Sequence, residues 1–142
     1  ITGLAISPIF SLLEYLQLIN LENHKVDLLF KDMAFYQILL IGAIFVPIIE
    51  ELIFRAPITL FKTPKSFKIA FYTFTLVFGF IHITNFEITK NVLLLSPILV
   101  LPQILVGLYF GYLRVRFGLQ WSILLHGVYN GLLMTIGFFT ES

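Results

Sequence analysis

A pair of adjacent carboxylates inside a long apolar run is the feature that most limits how this chain can fold. Glu50 and Glu51 follow residues 33–49, which carry no formal charge, and Arg55 precedes a further largely apolar stretch, 56–61. An ionised side chain in hydrocarbon costs at least about 2.5–3.5 kcal/mol, so three of them so close together need a compensating environment. Either they lie at a membrane surface, or they face a polar cavity inside a helix bundle.

The composition favours a chain embedded in a membrane. Its 142 residues are 58% hydrophobic and 12% charged, whereas soluble domains contain about 45–50% apolar and about 25% charged residues. The formal net charge is +1 with no basic tract, so nucleic acid is not an expected partner. Cysteine is absent, which excludes disulfides and thiolate metal sites. Because the first residue is Ile1, we interpret residues 1–142 as a single domain taken from a longer protein.

Apolar segments of spanning length predict an all-α, polytopic transmembrane bundle of about five helices. A bilayer core needs about 20 residues of helix. The first predicted span covers residues 1–21 and leads into a polar segment, 20–32, interpreted as an aqueous loop. Pro47 should kink the second span and free a carbonyl just before Glu50. The last four spans, which carry the candidate site, cover residues 33–61, 69–86, 92–113 and 119–139.

Lysines and arginines are concentrated in two of the predicted turns, 62–68 and 114–118. The turns on the opposite side contain fewer basic residues, and acidic residues dilute them. The positive-inside rule therefore places the turns 62–68 and 114–118 in the cytoplasm.

Several polar side chains are stranded in the apolar runs at similar depths. At about 1.5 Å per residue, they lie between about 12 and about 21 Å from the cytoplasmic ends of their helices, in the middle of a core about 30 Å thick. A shared intramembrane cavity is therefore predicted. Its candidate residues are the Glu50/Glu51 pair with Arg55, His82, His126 and Asn130.

The spacing of these residues indicates how they could work together. Glu51 and Arg55 are four residues apart and can pair on one helix face, which leaves Glu50 as the free carboxylate. His126 and Asn130 have the same spacing and can face one cavity, while Gly127 beside them allows another helix to approach. A buried carboxylate near imidazoles is suited to activating water, and an imidazole with an amide can stabilise an oxyanion.

A metal site is the alternative use of the same side chains. Two imidazoles and a carboxylate could bind zinc. The HExxH pattern of zinc proteases is absent from the sequence.

Three ordered motifs resemble those of a known family. They are EExxxR at 50–55, FxxxH at 78–82 and HxxxN at 126–130, on successive hydrophobic helices. In this order they resemble the CPBP family, also called Abi, of CAAX prenyl proteases and bacteriocin-processing or bacteriocin-immunity proteins. The resemblance covers a motif core of about residues 45–131. It implies an intramembrane endopeptidase with a helical-bundle fold.

The resemblance also implies a role for each candidate residue. A divalent metal such as zinc stays open as a cofactor, since the family is discussed with both metal-dependent and metal-free glutamate mechanisms. If a metal is bound, its ligands would be Glu50, His82 and His126. Otherwise the implied roles are a water-activating base and its assistant (Glu50 and His82), oxyanion donors (His126 and Asn130) and structural support (Glu51 and Arg55).

The predicted function is hydrolysis of a peptide bond in a membrane-associated peptide or protein, with membrane lipid as the surroundings. The substrate would be of the CAAX type, or a bacteriocin or other peptide processed for maturation or self-immunity. The short loops and small size favour the bacterial kind and hence the bacterial cytoplasmic membrane. One alternative is a non-catalytic immunity or regulatory protein that binds a peptide or a sensor kinase and tolerates Glu50→Gln. Another is a small transporter or proton relay, which would show flux and no cleavage product.

Overall fold

The computed structural model describes residues 7–20 and 25–140, and within these ranges it contains helices and no strand. A π-helical turn lies at Leu40–Phe45, and 3-10 turns lie at Ala56–Leu60 and His82–Asn85. The predicted all-α fold is therefore confirmed. The α-helices of the described ranges are α1 (Ser7–Tyr15), α2 (Lys25–Phe30), α3 (Phe35–Leu39), α4 (Val46–Phe54), α5 (Pro64–Ile81), α6 (Lys90–Leu99), α7 (Leu101–Phe117) and α8 (Leu119–Thr140).

Four helical segments in the described ranges are long and apolar enough to cross a membrane. Large apolar side chains on each of them are about half exposed, among them Leu52 at 50%, Leu105 at 53% and Leu124 at 55%. Such a surface suits contact with lipid and would promote association in water. The polytopic transmembrane prediction is confirmed for the last four spans, which are Phe35–Leu60, Pro64–Asn85, Lys90–Phe117 and Leu119–Phe139.

The N-terminal part differs from the prediction as far as it is described. Of the predicted first span, residues 1–6 and 21 lie outside the described ranges, and α1 ends at Tyr15. Gln17 then adopts a left-handed conformation with a φ of 55°, which stops the helix before residue 21.

The segment 20–32 is not simply an aqueous loop, because it contains α2. Phe30 at the end of α2 is buried and packs with Ile38 of α3 and Met134 of α8. Burying an aromatic side chain against two helices outweighs the polar character of its neighbours. The prediction of a solvated loop is wrong for this helix.

The long helices begin and end at residues with clear local reasons. Thr63 caps α5, its Oγ1 accepting from the Ser66 N–H at 3.1 Å, and Pro64 follows in the first turn, where no N–H is needed. Thr89 caps α6 in the same way. Gly118 ends α7 with a φ of 107°, a conformation that residues with a Cβ rarely adopt.

Arg114 belongs to α7 and not to a free basic turn. Its Nε donates to the carbonyl of Arg55 at 3.3 Å, and its Nη2 donates to Thr59 Oγ1 at 2.9 Å. These bonds satisfy groups at the end of α4, where intrahelical donors are missing. The predicted turn 114–118 is thus reduced to its last residue.

Pro47 leaves the turn before it short of one backbone donor, so a carbonyl is freed there as the sequence predicts. The Val46 N–H bonds to the carbonyl of Ile41, five residues back, and Pro47 has no N–H to offer. The backbone hydrogen bonds are therefore π-helical just before α4, a local change often found at functional sites. The carbonyls of Gly42 and Ala43 are left to interact with another helix, and that helix is α8.

The bundle brings α4, α5, α7 and α8 together. Helix α5 packs along α7, α7 along α8, and α8 against both α4 and the π-helical turn. Close approach depends on Gly127, where an added Cβ would lie 2.5 Å from the carbonyl oxygen of Ala43. The predicted role of Gly127 in helix contact is confirmed, and α8 lies near enough to α4 for their polar residues to meet.

Candidate active site

The two adjacent carboxylates of α4 have different surroundings. Glu51 is fully buried, whereas the side chain of Glu50 is 23% exposed and lines a cavity. Neighbouring helix positions point about 100° apart, so one carboxylate faces the bundle interior and the other faces the open space. Glu50 is therefore the carboxylate that a bound molecule could reach, as the sequence predicts.

Glu51 is held by donors from two helices. Its Oε1 lies 3.0 Å from His126 Nδ1 and 3.7 Å from Arg55 Nε, and its Oε2 accepts a hydrogen bond from Ser122 Oγ. Ser122 and His126 are one turn apart on α8, so both reach the same carboxylate. The expected Glu51–Arg55 pair is present, and Glu51 also orients His126.

Arg55 is a buried cation stacked on an aromatic ring. Its Cζ lies 3.8 Å from the centre of the Phe78 ring, and its Nη2 donates to the carbonyl of Gly107 at 3.4 Å. Two other nitrogens of this guanidinium, Nε and Nη1, are buried without a hydrogen-bond partner among the described residues. The charge of Glu51 and the ring of Phe78 therefore provide most of its stabilisation.

His126 lies between the two carboxylates. Its Nε2 is 3.5 Å from Glu50 Oε2, while its Nδ1 faces Glu51. The ring stacks on Phe110 with a centroid distance of 4.4 Å and an interplanar angle of 25°, and the residue is only 3% exposed. Packing and hydrogen bonding together fix the imidazole so that one nitrogen faces the cavity side of the site.

Asn130 joins α8 to the π-helical turn. Its Nδ2 donates to the carbonyl of Gly42 at 3.0 Å, and the residue also lines the cavity. Since that carbonyl can only accept, the nitrogen must face it. One N–H of the Asn130 amide is thus used structurally, and the second remains for other contacts.

His82 enters the cavity from the end of α5. Its Nδ1 is 2.7 Å from the carbonyl of Phe78, so this nitrogen carries the proton when the ring is neutral. The ring also packs edge-on against Phe78, with a centroid distance of 4.8 Å. Nε2 is then left as a hydrogen-bond acceptor.

The cavity has a volume of about 360 Å³ and collects four of the predicted site residues. Most of its remaining wall is apolar and comes mainly from α2, the π-helical turn, α5, α7 and the end of α8. Such a mixture is typical of a site that binds an apolar molecule and positions it with a few polar groups. The predicted residues on its wall are Glu50, His82, His126 and Asn130.

The sequence interpretation missed two polar residues. Ser122 lies outside the three motifs, yet it is fully buried and bonds Glu51. Its signal was the four-residue spacing to His126, which repeats between His126 and Asn130. Gln103 of α7 also lines the cavity, and its signal was an amide inside the uncharged run 92–113.

A metal held by Glu50, His82 and His126 stays a prediction. The three residues line one cavity, and Glu50 and His126 are close together. In the part of the chain that the structure describes, no three His, Asp or Glu side chains are grouped so as to hold a metal ion. Zinc sites in proteins need three or four such ligands.

The spanning helices are typical of an integral membrane protein, and the cavity between them is lined by four polar candidate residues in a mostly apolar wall. A family model for type II CAAX prenyl endopeptidases, Rce1-like, matches residues 32–132, which include every predicted site residue. The chain belongs to this Rce1-like family, and the resemblance to the CPBP proteases is confirmed. Membership implies a protease of the CAAX type that works in a membrane. Comparison with curated proteins and with solved structures gives no match.

Proposed function

We propose that this protein is an intramembrane endopeptidase in which Glu50 activates water to attack a peptide bond of a membrane-associated peptide or protein. The observation that carries the proposal is the position of Glu50. Its carboxylate lines the cavity and lies 3.5 Å from an imidazole that a second, buried carboxylate orients. A carboxylate with one open side and an oriented imidazole partner is suited to general-base catalysis.

The positions of the protons on His126 and Glu50 support this role. Ionised carboxylates only accept hydrogen bonds, so His126 Nδ1–H donates to Glu51, and Nε2 faces a second acceptor at 3.5 Å. That contact is favourable when one proton is shared between Nε2 and Glu50. In the proposed step Glu50 removes a proton from water while the water oxygen bonds to the carbonyl carbon of the peptide bond. The proton then passes to the leaving nitrogen as the C–N bond breaks.

The other two cavity residues have complementary roles in this proposal. The free N–H of Asn130 and a protonated Nε2 of His126 would donate to the developing oxyanion. The acceptor nitrogen of His82 would orient the attacking water. Two observations support these roles. Nδ1 of His82 is occupied by a carbonyl at 2.7 Å, and Asn130 donates only one of its two N–H groups to the carbonyl of Gly42.

The substrate is proposed to be an apolar peptide segment. The cavity wall is largely aliphatic and aromatic, with contributions from Phe30, Val106 and Leu133. A prenylated CAAX peptide fits this wall and the family, and an unprenylated apolar peptide of the bacteriocin type fits the wall as well.

The full-length protein in lipid nanodiscs should be given two probes, a farnesylated peptide ending in a CAAX sequence and the same peptide without the farnesyl group. Mass spectrometry would identify any product. Glu50→Gln should lower cleavage by at least about 10²-fold, the usual contribution of a general base. Glu87→Gln, at an exposed position outside the cavity, is the matched control and should cleave like the wild type.

The two probes separate the substrate classes, because only the farnesylated peptide is cleaved if the prenyl group is required. Full activity of Glu50→Gln would contradict the proposed mechanism. If the wild type cleaves neither probe but still binds one of them in a way that Glu50→Gln preserves, a peptide-binding immunity or regulatory role becomes the better account.

A further inference from the structure

An unpartnered oxygen lies in the wall of the same cavity. Gln103 of α7 lines the cavity together with Glu50 and His126, and its Oε1 is buried without a hydrogen-bond partner among the described residues. Buried polar atoms in folded proteins nearly always have a partner. An orphan acceptor at the wall of a ligand-sized cavity therefore indicates that the missing donor belongs to the ligand.

The residues beside Gln103 hold it in place. Pro102 before it is buried in the first turn of α7, where a proline is favoured. Ile104 after it fills the space beside Gly79 of α5, where an added Cβ would clash with the Ile104 side chain. Because α7 is anchored on both sides of Gln103, the amide oxygen is presented to the cavity by a rigid element.

The environment of the substrate indicates which donor is missing. In a membrane, every backbone N–H of an unfolded peptide segment must find an acceptor in the protein, since lipid offers none. The remaining acceptors on the cavity wall include Glu50 and the Nε2 of His82, which the chemistry uses. Gln103 adds a neutral acceptor that the proposed hydrolysis does not consume.

We propose that Gln103 Oε1 accepts a hydrogen bond from one backbone N–H of the peptide substrate and thereby positions the scissile bond next to Glu50. The inference rests on the proposed peptidase function and assigns a substrate-positioning residue to it. It implies that one particular amide of the substrate, at a fixed distance from the cleaved bond, is recognised through its N–H.

The test pairs a protein substitution with a substrate substitution. Whichever probe the wild type cleaves is synthesised as a series in which each backbone amide in turn carries an N-methyl group, which removes its N–H. For wild-type protein, one N-methyl position should lower kcat/KM by roughly three- to tenfold through loss of this hydrogen bond. Gln103→Met keeps the side-chain length without the acceptor, so the unmodified probe should lose the same factor and that N-methyl group should cost nothing more.

Two further variants make the result decisive. Gln103→Glu retains an acceptor and should keep the N-methyl sensitivity of the wild type, even if Gln103→Met does not fold. Gln120→Met changes an exposed glutamine at the start of α8, outside the cavity, and should leave cleavage unchanged. Thermal unfolding of each variant in nanodiscs would confirm that it is folded.

The inference is overturned if Gln103→Met cleaves the whole N-methyl series with the wild-type profile, whether at full or at uniformly reduced rate. A uniform reduction would mean that Gln103 only supports the helix packing. The proposed function fails on a different observation, namely that the wild type does not cleave the unmodified probes.

Discussion

The buried Glu51–Arg55 pair allows a prediction about stability that does not depend on any enzymatic activity. Both residues are fully buried, with Arg55 Nε 3.7 Å from Glu51 Oε1 and the guanidinium stacked on Phe78. Removing one partner of a buried pair leaves an uncompensated charge and typically costs about 3–5 kcal/mol. We therefore expect Arg55→Met to lower the free energy of unfolding by about that amount, with the lost ring contact contributing up to about 2 kcal/mol of it.

The double variant tests the cause of the loss. Glu51→Gln in the Arg55→Met background removes the stranded charge and keeps one carbonyl acceptor, for His126. The amide nitrogen can donate to Ser122 Oγ, which itself can donate to the carbonyl of Phe110 at 2.9 Å. The loss in the double variant should be smaller than the sum of the two single losses by about 1–3 kcal/mol, the usual size of coupling between contacting residues.

Unfolding in mixed detergent micelles, followed by circular dichroism during titration with sodium dodecyl sulfate, would give the four free energies of this cycle. Arg116→Met is the matched control, because Arg116 lies at the exposed end of α7. It should change stability by no more than about 0.5 kcal/mol. Strictly additive losses for the two single variants would refute the reasoning, since they would mean that each side chain acts through separate neighbours.

Three further predictions concern helix contact, the second carboxylate and the metal. Gly127→Ala should destabilise the bundle by about 1–3 kcal/mol, because its methyl group would meet the Ala43 carbonyl. Gly131→Ala should be nearly neutral, because an added Cβ would lie 3.4 Å from the nearest atom. Equal unfolding midpoints of the two variants in detergent would contradict this. Ser122→Ala removes a fully buried donor to Glu51 and should cost about 1–3 kcal/mol of unfolding free energy. Ser122→Thr keeps a hydroxyl and should retain part of that stability. Equal losses for both variants would show that packing and not the hydrogen bond matters. Dialysis of the protein against a chelator should leave cleavage of the probe peptide unchanged, because no three-ligand group exists among the described residues; loss of activity that added zinc restores would show that a metal takes part.

The sequence was sufficient to predict the last four membrane-spanning segments, because hydrocarbon imposes a simple rule on length and polarity. It also predicted that side chains from three helices share one cavity, since they lie at similar depths. It did not predict α2, because a six-residue helix with mixed polarity has no periodic signal. The burial of Phe30 comes from tertiary contact with Met134, more than a hundred positions away in the chain.

Which of the two carboxylates faces the cavity depends on how α4 is rotated about its own axis. The sequence indicates this rotation only through the spacing between Glu51 and its partner Arg55. The four-residue spacing to Arg55 correctly assigned Glu51 to the interior. What the spacing could not reveal is that Ser122 and His126 bind the same carboxylate, because the register between α4 and α8 is set by close contact at Gly127. Helix register is a property of packing and not of either helix alone.

Pro47 and the HxxxN motif are parts of one structural arrangement. Pro47 cannot donate to the turn before it, and the Val46 N–H reaches back to Ile41, so the carbonyl of Gly42 needs another donor. Asn130 supplies it at 3.0 Å. The same bond fixes α8 against the π-helical turn, four residues beyond the point where His126 meets Glu51. A proline on one helix thus explains why an asparagine stands one turn after a histidine on another, and why the imidazole is held beside Glu50.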